Sequence, residues 1–402
     1  MNIQSVFNIA PKFKIQIGHK SNKGTGRQNQ DDVFVIHNPE TDSYIFGAAD
    51  GHGYYGAYNK DRISTGKIAS SVSKKSAEEF VNANTALLSE NPVEFLEKCF
   101  EYIQENVRQA FVEDIRQNEP NSEVSVNEDG VVIARKSEFN KFSNITGGSM
   151  LSIAVLKNGV IYIANVGDCD GILCAKTPIL QKTNIKYEKD AAQEKSIVYT
   201  DETLTDNIII TRDHSPDNVE EYKRIRSFAK DPNLLFIYDE QEKEKPLCES
   251  IFEDGIDGPV ARPDVQFYYK NVSKDKATYI TTPIDAQYRD ALASTRSIGD
   301  FNLNKYGLSA KPEIQSVDLN HLVDNPICVV LCTDGVWDNW ITDHVQKFVM
   351  DPSCLNAIAT KPDGAQKVVD SFMNRNEMFA KKYFGNNYDD ASCIIMYITL
   401  NE

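Results

Sequence analysis

The sequence has no long apolar run and few positive charges. No run reaches the roughly 18 apolar residues that a membrane-spanning helix requires. Lysine and arginine number 43 against 59 aspartates and glutamates, which gives a formal net charge of -16. This balance excludes proteins that bind nucleic acids or membranes through clustered basic residues. We therefore expect no nucleic-acid partner and no membrane partner.

Targeting signals and paired cysteines are absent as well. The segment MNIQSVFNIAPKFKIQIGHK has neither the charged start nor the apolar core of a signal peptide, and Asn2 stands where N-myristoylation requires glycine. The eight cysteines are scattered without a Cys-x-x-Cys pair. This favours free thiols in a reducing compartment over disulfides or structural zinc. We expect a soluble cytoplasmic protein, with the nucleus as the alternative.

Short runs rich in β-branched and aromatic residues predict strands along the whole chain. These runs are residues 32–37, 44–49, 150–156, 160–166, 208–210, 327–332 and 393–400. Several are apolar throughout, which is typical of strands buried on both faces. Asn158 and Gly159 between two of them predict a tight hairpin turn. Because turns connect most of these strands, the sequence favours antiparallel sheets.

Three longer segments predict helices, over about residues 57–82, from Pro92 onward, and over about 363–384. The second has apolar residues at three- and four-residue steps, which mark one buried stripe. They are Leu96, Phe100, Ile103, Val107, Phe111 and Ile115. The order of strands and helices favours an α+β fold in which sheet packs on sheet and helices cover the outer faces.

Three charged segments with little apolar periodicity look like insertions, near residues 118–138, 177–207 and 228–276. We expect surface loops or a lid there, because long loops add little closure entropy. Neither a repeat nor a linker nor a change in composition marks a second domain. The sequence therefore predicts one domain over residues 1–402.

Acidic residues stand where three apolar runs meet loops. In FGAADGHG, Asp50 ends a run and Gly51 follows it. In CVVLCTDGVWD, Asp334 ends another and Asp338 comes one helical turn later, while in YDDASCIIM Asp389 precedes the last run. If these strands are neighbours, the carboxylates converge and repel one another, and divalent cations are the simplest compensation. Oxygen ligands without thiolates favour Mg²⁺ or Mn²⁺.

Taken alone, each of these motifs has a simpler explanation. Asp-Gly often does no more than start a turn, and this accounts for Asp50 as well as a metal does. Their recurrence at several strand ends, together with the other blocks of the sequence, shifts the interpretation toward a metal site.

Eight blocks follow one another along nearly the whole chain. They are GRQNQDD, AADGHG, TGGSMLSIAVLKNGVIYIANVGDCD, ITRDHSPDNVEEYKRI, ALASTRSIGDF, LSAKPEI, VLCTDGVWD and YDDASCIIM. In content and order they resemble the metal-dependent protein phosphatases of the 2C class, the PPM family of serine/threonine phosphatases. A single block would be weak support, whereas eight in the same order leave little room for coincidence.

The resemblance implies a central β-sandwich of two antiparallel sheets flanked by helix pairs, a four-layer αββα arrangement with two Mg²⁺ or Mn²⁺ ions at one end. By this resemblance, Asp50 bridges both ions and the carbonyl of Gly51 binds one of them. Asp334 and Asp389 bind the other ion.

The resemblance also implies a third, weaker ion beside Asp334, held by Asp168 and Asp338. Asp168 has a structural alternative as a turn cap. Arg27 is expected to hold the phosphate through its planar guanidinium. Relatives usually place this basic residue four positions before the Gln or Glu that precedes Asp, whereas Arg27 lies three before Gln30. Lys23 therefore stays as the alternative.

The implied reaction is hydrolysis of phosphoserine and phosphothreonine in proteins by a monomeric enzyme. A water shared by two cations becomes hydroxide and attacks phosphorus in line with the leaving oxygen, without a covalent enzyme intermediate. His52, next to Asp50, matches the general acid that protonates the leaving alkoxide.

Several further residues match blocks that support the site. Arg296 and Asp300 in STRSIGDF, and His214 in TRDHSPD, are expected either to contact the residues that form the site or to pack, because an Arg–Asp pair is more often structural than catalytic. Gln30 is expected to act through a water, and Asp31 matches the adjacent acidic position. Asp390 departs from the family pattern, because relatives usually carry Asn there.

Two other functions compete with the phosphatase. A pseudophosphatase would use the same fold as a regulatory binding module, but it predicts the loss of metal ligands, whereas Asp50, Asp334 and Asp389 are all present. A metallohydrolase of small phosphate esters or nucleotides is the second. The sequence has neither a Walker loop nor a Rossmann glycine fingerprint to support nucleotide binding.

Overall fold

The computed structural model of the protein describes residues 13–55, 62–136, 141–180, 183–186, 196–199, 204–209, 211–228, 235–238, 252–255, 258–261, 278–283, 286–319 and 326–400. The strands within these ranges are β1 (Phe13–Asn22), β2 (Asp32–Asn38), β3 (Ser43–His52), β4 (Ser122–Val126), β5 (Val132–Lys136), β6 (Ser143–Asn144), β7 (Gly148–Lys157), β8 (Val160–Val166), β9 (Gly171–Leu180), β10 (Thr183–Lys186), β11 (Ser196–Tyr199), β12 (Leu204–Ile209), β13 (Leu235–Tyr238), β14 (Phe252–Gly255), β15 (Gly258–Ala261), β16 (Thr278–Thr281), β17 (Ala291–Leu292), β18 (Ile298–Gly299), β19 (Glu313–Asp318), β20 (Ile327–Cys332) and β21 (Ala391–Leu400).

The helices in the same ranges are α1 (Thr65–Ala83), α2 (Thr85–Glu90), α3 (Pro92–Asn118), α4 (Val219–Phe228), α5 (Phe301–Asn304), α6 (Asp334–Trp337), α7 (Thr342–Val349), α8 (Pro352–Thr360) and α9 (Gly364–Phe384). Two long helices begin with local capping. The Ser64 side chain accepts from the backbone N–H of Lys67 at α1, and Asn91 accepts from Glu94 at α3, where Pro92 occupies the first turn.

Two antiparallel sheets form the centre of the fold. Sheet A has five strands in the order β1-β21-β20-β9-β12, and sheet B has eight, in the order β11-β10-β19-β8-β7-β3-β2 with β18 beside β7. The predicted hairpin joins β7 to β8, where Asn158 and Gly159 have φ of 51° and 75°. The predicted α+β class with antiparallel sheets is confirmed.

Buried apolar clusters lie on both faces of each sheet. One cluster joins the sheets and contains Phe46 of sheet B and Leu331 of sheet A. Their chain neighbours point the other way. Ile45 packs in a cluster with α1 and α3, and Val330 packs in a cluster with α6 to α9. Burial on both faces explains why these strands are apolar throughout.

The predicted helices differ from the observed ones mainly at their ends and in number. The apolar stripe of α3 is buried as expected, and α9 spans almost the predicted range. The first predicted helix begins at Thr65 and not at residue 57, and residues 56–61 lie outside the described part. The short helices α2, α7 and α8 were not predicted, because few turns leave little periodicity to detect.

The first predicted insertion contains a regular hairpin. Its residues include β4 and β5, an antiparallel pair in which Val126 faces Val132. Val132 is fully buried against α3 and packs in the same cluster as that helix, together with Ala134. The apolar run VVIA at residues 131–134 lies inside this charged segment and indicates a strand.

The second insertion also pairs with the sheets and is not simply a surface loop. Within residues 177–207, β9 continues to Leu180, β10 pairs with β19, β11 pairs with β10, and β12 begins. In the third insertion, the described residues form β13, β14 and β15, and the remainder lies outside the described part. No helix among the described residues has both the length and the apolarity that crossing a membrane requires.

Candidate active site

The three predicted metal-binding aspartates come from both sheets. Asp50 lies near the end of β3 in sheet B. Asp334 is the first residue of α6, directly after β20, and Asp389 shortly precedes β21. In sheet A, β20 and β21 are neighbours, and Cys332 pairs with Cys393 at the end that carries these acidic residues.

The charges of neighbouring acidic residues act on the carboxyl group of Asp50. Burial raises the pKa of Asp50 well above its ordinary value, and the charges of Asp334, Asp31 and Asp389 raise it further. A hydrogen bond between the carboxyl groups of Asp50 and Asp334 contributes in the same direction. The charges of Asp334 and Asp389, which come from sheet A, therefore act on Asp50 of sheet B.

Asp31 is a further member of this acidic cluster. Its Oδ2 accepts from the hydroxyl of Thr333 at 2.8 Å, which links β2 of sheet B to the end of β20 in sheet A. Its Oδ1 is buried and has no hydrogen-bond partner. Burial raises the pKa of Asp31 well above its ordinary value, and the charges of Asp334 and Asp390 add to the rise.

Two glycines allow the backbones to approach closely here. A Cβ on Gly335 would overlap the carbonyl oxygen of Asp390, and a Cβ on Gly51 would overlap that of Gly66. The glycines after Asp50 and Asp334 thus have a packing reason, besides any role of the Gly51 carbonyl.

Asp390 anchors the loop that carries the candidate phosphate-binding residues. Its Oδ1 accepts from the backbone N–H of Gly24 and its Oδ2 from that of Gln30, both at 2.7 Å. Arg27 is exposed on the intervening loop, and Lys23 is exposed just before its first anchor point. From the sequence, Asp390 is only a departure from the usual Asn, and its position next to Asp389 is the one local feature that points to the site.

Gln30 makes protein contacts where an action through water was expected. Its amide nitrogen donates to the carbonyl of Gly53 at 3.0 Å and to the hydroxyl of Ser64 at 2.6 Å. Ser64 is the N-cap of α1. Gln30 therefore fixes the segment after β3 against the start of that helix.

The residues predicted for a third ion lie around the same cluster. Asp338 follows Asp334 by one turn of α6, and its backbone N–H donates to the Asp334 carbonyl at 2.7 Å. Asp168 lies in a bend after β8, beside Gly167 with φ of 97°. The charge of Asp168 contributes to raising the pKa of His52, so the two residues are close.

His52 contacts Asp300 directly. Its Nε2 lies 2.7 Å from Asp300 Oδ2, with side chains 27% and 5% exposed, respectively. Burial lowers the pKa of His52, but the charges of Asp300, Asp168 and Asp290 outweigh burial and raise it overall. Asp300 was expected either to support a residue of the site or to pack beside Arg296, and no local pattern indicates His52 as its partner.

Arg296 and His214 belong to a buried charged network, as their expected packing role suggested. Arg296 Nη2 lies 2.7 Å from Glu221 of α4, and His214 Nδ1 accepts from the backbone N–H of Gly167 at 3.0 Å. Burial raises the pKa of Glu221, but Arg296 lowers it more, to well below the ordinary value. The network therefore supports the bend that carries Asp168.

Within the ranges that the structure describes, no three His, Cys, Asp or Glu side chains form a ready-made metal-binding group. The contact between Asp50 and Asp334 nonetheless brings two acidic groups together. Two such groups cannot both stay charged at this distance without a proton or a cation to compensate.

The chain is similar in sequence to plant proteins that are named as probable protein phosphatases 2C. The chain is 26% identical over 125 residues to "Probable protein phosphatase 2C 12" of Oryza sativa subsp. japonica, covering 31% of this chain and 29% of the relative. It is 32% identical over 111 residues to "Probable protein phosphatase 2C 75" of the same plant, covering 28% and 23%. The matched segments span less than a third of each relative.

Solved structures with the same fold cover much more of the chain. A serine-threonine phosphatase 2C from Toxoplasma gondii aligns with a TM-score of 0.53 at 14% identity and covers 97% of both chains. A C. elegans sex determining protein aligns with a TM-score of 0.52 at 13% identity, covering 95% of this chain and 64% of that one. At these identities the likeness shows the fold.

The family model of protein phosphatase 2C matches residues 16–229 and 278–377, which is most of the chain. These ranges include Asp50, His52, Asp168, Asp300 and Asp334, with Asp389 shortly beyond the second. The chain therefore belongs to the protein phosphatase 2C family.

Proposed function

We propose that this protein is a metal-dependent phosphatase that hydrolyses phosphoserine and phosphothreonine in other proteins. The observation that carries the proposal is the convergence of Asp334 and Asp389, from sheet A, on Asp50 of sheet B. The charges of these two residues raise the pKa of Asp50. Such like charges persist in a protein where they serve to bind a cation. Family membership supports the same activity.

The donor set fits Mg²⁺ or Mn²⁺. The cluster consists of carboxylate oxygens, and the buried Oδ1 of Asp31 has no hydrogen-bond partner. The nearby thiol of Cys169 is no competing ligand, because burial and the surrounding carboxylates raise its pKa well above the ordinary value. Hard oxygen ligands without a thiolate suit these ions better than zinc.

The proposed ligands are those expected from the sequence. Asp50 and the Gly51 carbonyl, with Asp334 and Asp389, would hold two ions. Asp168 and Asp338, beside Asp334, would hold a third, weaker ion. When bound, the cations would lower the pKa of a water and so supply the nucleophile near neutral pH.

The remaining catalytic work falls to side chains of the chain. Arg27 would bind two oxygens of the phosphate through its guanidinium, which orients phosphorus for in-line attack. His52 would protonate the departing seryl or threonyl oxygen, a poor leaving group without a proton. Asp390 supports Arg27 by anchoring both ends of its loop. We propose that one domain and one copy of the chain suffice for this reaction.

The test is hydrolysis of a phosphothreonine peptide by the full chain, with Mn²⁺, with Mg²⁺ and with excess chelator. We expect activity only with a cation, and a loss of at least about 100-fold in Asp334→Asn, because that change removes a ligand charge. Asp129→Asn is the control, since Asp129 is exposed on the hairpin between β4 and β5 and pairs with Lys305. Activity in chelator, or full activity of Asp334→Asn, would contradict the proposal.

A further inference from the structure

The contact between His52 and Asp300 brings together two chain segments 248 residues apart. His52 is the last residue of β3, and Asp300 follows β18, which pairs with β7. The carboxyl group of Asp300 is nearly inaccessible, whereas part of the His52 ring is open to solvent. The Nε2 atom of the ring is therefore held by Asp300, and another part of the ring is accessible from solvent.

Asp300 is itself held rigidly. The Ser297 hydroxyl donates to the same Oδ2 at 2.6 Å, and the Asp300 backbone N–H donates to the Gly147 carbonyl at 3.0 Å. Asp300 has φ of 44°, a left-handed conformation that is uncommon outside glycine and that aspartate adopts more readily than most residues. A Cβ on Gly148 would overlap the Asp300 carboxyl group, so this position requires glycine. These contacts hold the Asp300 carboxylate in one orientation.

The hydrogen-bonding roles follow from elementary chemistry. A carboxylate oxygen only accepts, so the nitrogen that faces Asp300 Oδ2 must carry a hydrogen. In a neutral imidazole the other nitrogen, Nδ1, then carries none, and in the charged ring it carries the proton that can be released. A carboxylate partner also fixes the plane of the ring, as buried acidic partners of histidine do in other enzymes.

We propose that Asp300 is a positioning residue that keeps hydrogen on His52 Nε2, so that Nδ1 delivers the proton to the leaving oxygen of the substrate. This inference rests on the proposed phosphatase function. In the step, a water oxygen forms the new bond to phosphorus, both of its hydrogens remain with the phosphate product, and the bond to the seryl or threonyl oxygen breaks. The electron pair of that bond stays on the leaving oxygen, which takes the Nδ1 proton. His52 is left neutral, with Nε2–H still bonded to Asp300.

Kinetics with two substrates separate positioning from general structural support. A phosphothreonine peptide needs a proton on its leaving group, whereas p-nitrophenyl phosphate does not. With Mn²⁺ present, Asp300→Asn and His52→Ala should each lower kcat for the peptide by about 100-fold and change kcat for p-nitrophenyl phosphate by less than about threefold. The double variant should be no slower than His52→Ala alone, because both changes remove one function.

Asp290→Asn is the matched control. Asp290 is a second aspartate whose charge acts on His52, but the hydrogen bond to the ring comes from Asp300. In Asp290→Asn we expect His52 to keep its hydrogen bond to Asp300. The control for activity is Asp129→Asn, an exposed residue that pairs with Lys305, and we expect it to turn over both substrates at close to the rate of the unchanged protein. Ser297→Ala is a gentler variant that removes only the second hydrogen bond to Asp300 Oδ2. It should show the same substrate preference with a smaller effect, and circular dichroism confirms that each variant is folded.

A second readout does not depend on activity. In the full chain labelled with ¹⁵N-histidine, the ring nitrogens of His52 are identified by comparison with His52→Gln. At alkaline pH, where the imidazole is neutral, we expect the Nε2–H tautomer in the unchanged protein and in Asp290→Asn, and its loss in Asp300→Asn.

Three results would overturn the inference. The first is an Nδ1–H tautomer in the unchanged protein, and the second is an equal loss of both activities in Asp300→Asn. The third is a double variant much slower than His52→Ala. If the unchanged protein hydrolyses neither substrate, the proposed phosphatase function fails, and the proton delivery by Nδ1 fails with it. The tautomer measurement still decides in that case whether Asp300 positions the ring.

Discussion

Asp389 and Asp390 are adjacent in the chain, but their side chains interact with different groups. Asp389 contributes to the charge around Asp50, whereas Asp390 uses both oxygens to hold the backbone at Gly24 and Gln30. An asparagine at 390 would offer one acceptor and one donor, and the donor would face a backbone N–H. The aspartate thus suits this loop better than the usual asparagine does, because it accepts on both sides.

Asp290 provides a pH dependence at the scale of a single residue. Burial, with the charge of Asp300, raises its pKa to about 6 from an ordinary value of 3.8. Because the folded state binds this proton more tightly, the contribution of Asp290 to stability is greatest below pH 3.8. It is lost as pH rises through about 6.

We therefore expect the unchanged protein to lose more thermal stability between pH 5 and pH 8 than Asp290→Asn does, by about 1–2 kcal/mol. The measurement is Tm against pH by circular dichroism, without added metal. The comparison of slopes removes any constant effect of the substitution. Parallel curves for the two proteins would show that Asp290 does not titrate in this range.

At the scale of elements, the hairpin of β4 (Ser122–Val126) and β5 (Val132–Lys136) contributes one buried face to the core. Two valines face each other across it in different environments. Val132 is fully buried with α3, whereas Val126 is 44% exposed. The hairpin therefore stabilises the fold through one face only.

Truncating these two valines gives a matched pair of variants. Val132→Ala should lower the free energy of unfolding by about 2 kcal/mol, because it leaves a cavity against α3. Val126→Ala should change it by less than about 0.5 kcal/mol. Chemical denaturation followed by circular dichroism measures both. Equal effects would contradict the packing of this hairpin on α3.

At the scale of the whole molecule, the acidic cluster joins the two sheets. Asp50 belongs to sheet B, and Asp334 follows a strand of sheet A. A cation held by both residues would therefore bind to the folded chain and not to the unfolded chain. Without the cation, the same carboxylates repel one another across the sheets. Metal binding and stability should therefore be coupled.

We expect Mn²⁺ to raise the Tm of the unchanged protein and chelator to reverse this rise. At a hundredfold excess of Mn²⁺ over Kd, the free energy of unfolding should increase by about 2.7 kcal/mol. Asp50→Asn should lose this response. Without metal it should be at least as stable as the unchanged protein, because one of the repelling charges is gone. Differential scanning fluorimetry measures the shifts, and Asp129→Asn should respond as the unchanged protein does. A full response in Asp50→Asn would exclude Asp50 as a ligand.

The sequence by itself determined the features that depend on near neighbours. Apolar runs gave β3, β7, β8, β20 and β21, because a strand buried on both faces is apolar along its length. Asn158 and Gly159 determined the hairpin between β7 and β8. Asp50 and Asp334 stood out because acidic residues at the ends of buried strands need compensation.

Only the tertiary structure decided which distant groups meet. The pairing of β18 with β7 brings Asp300 to His52, and the position of β21 beside β1 brings Asp390 to Gly24, although 248 and 366 residues separate these pairs. The first insertion became a buried hairpin because α3 lay next to it, and nothing in its charged sequence indicated that neighbour. Local propensity acts over a few residues, whereas these contacts depend on strand order and on the packing of one sheet against the other.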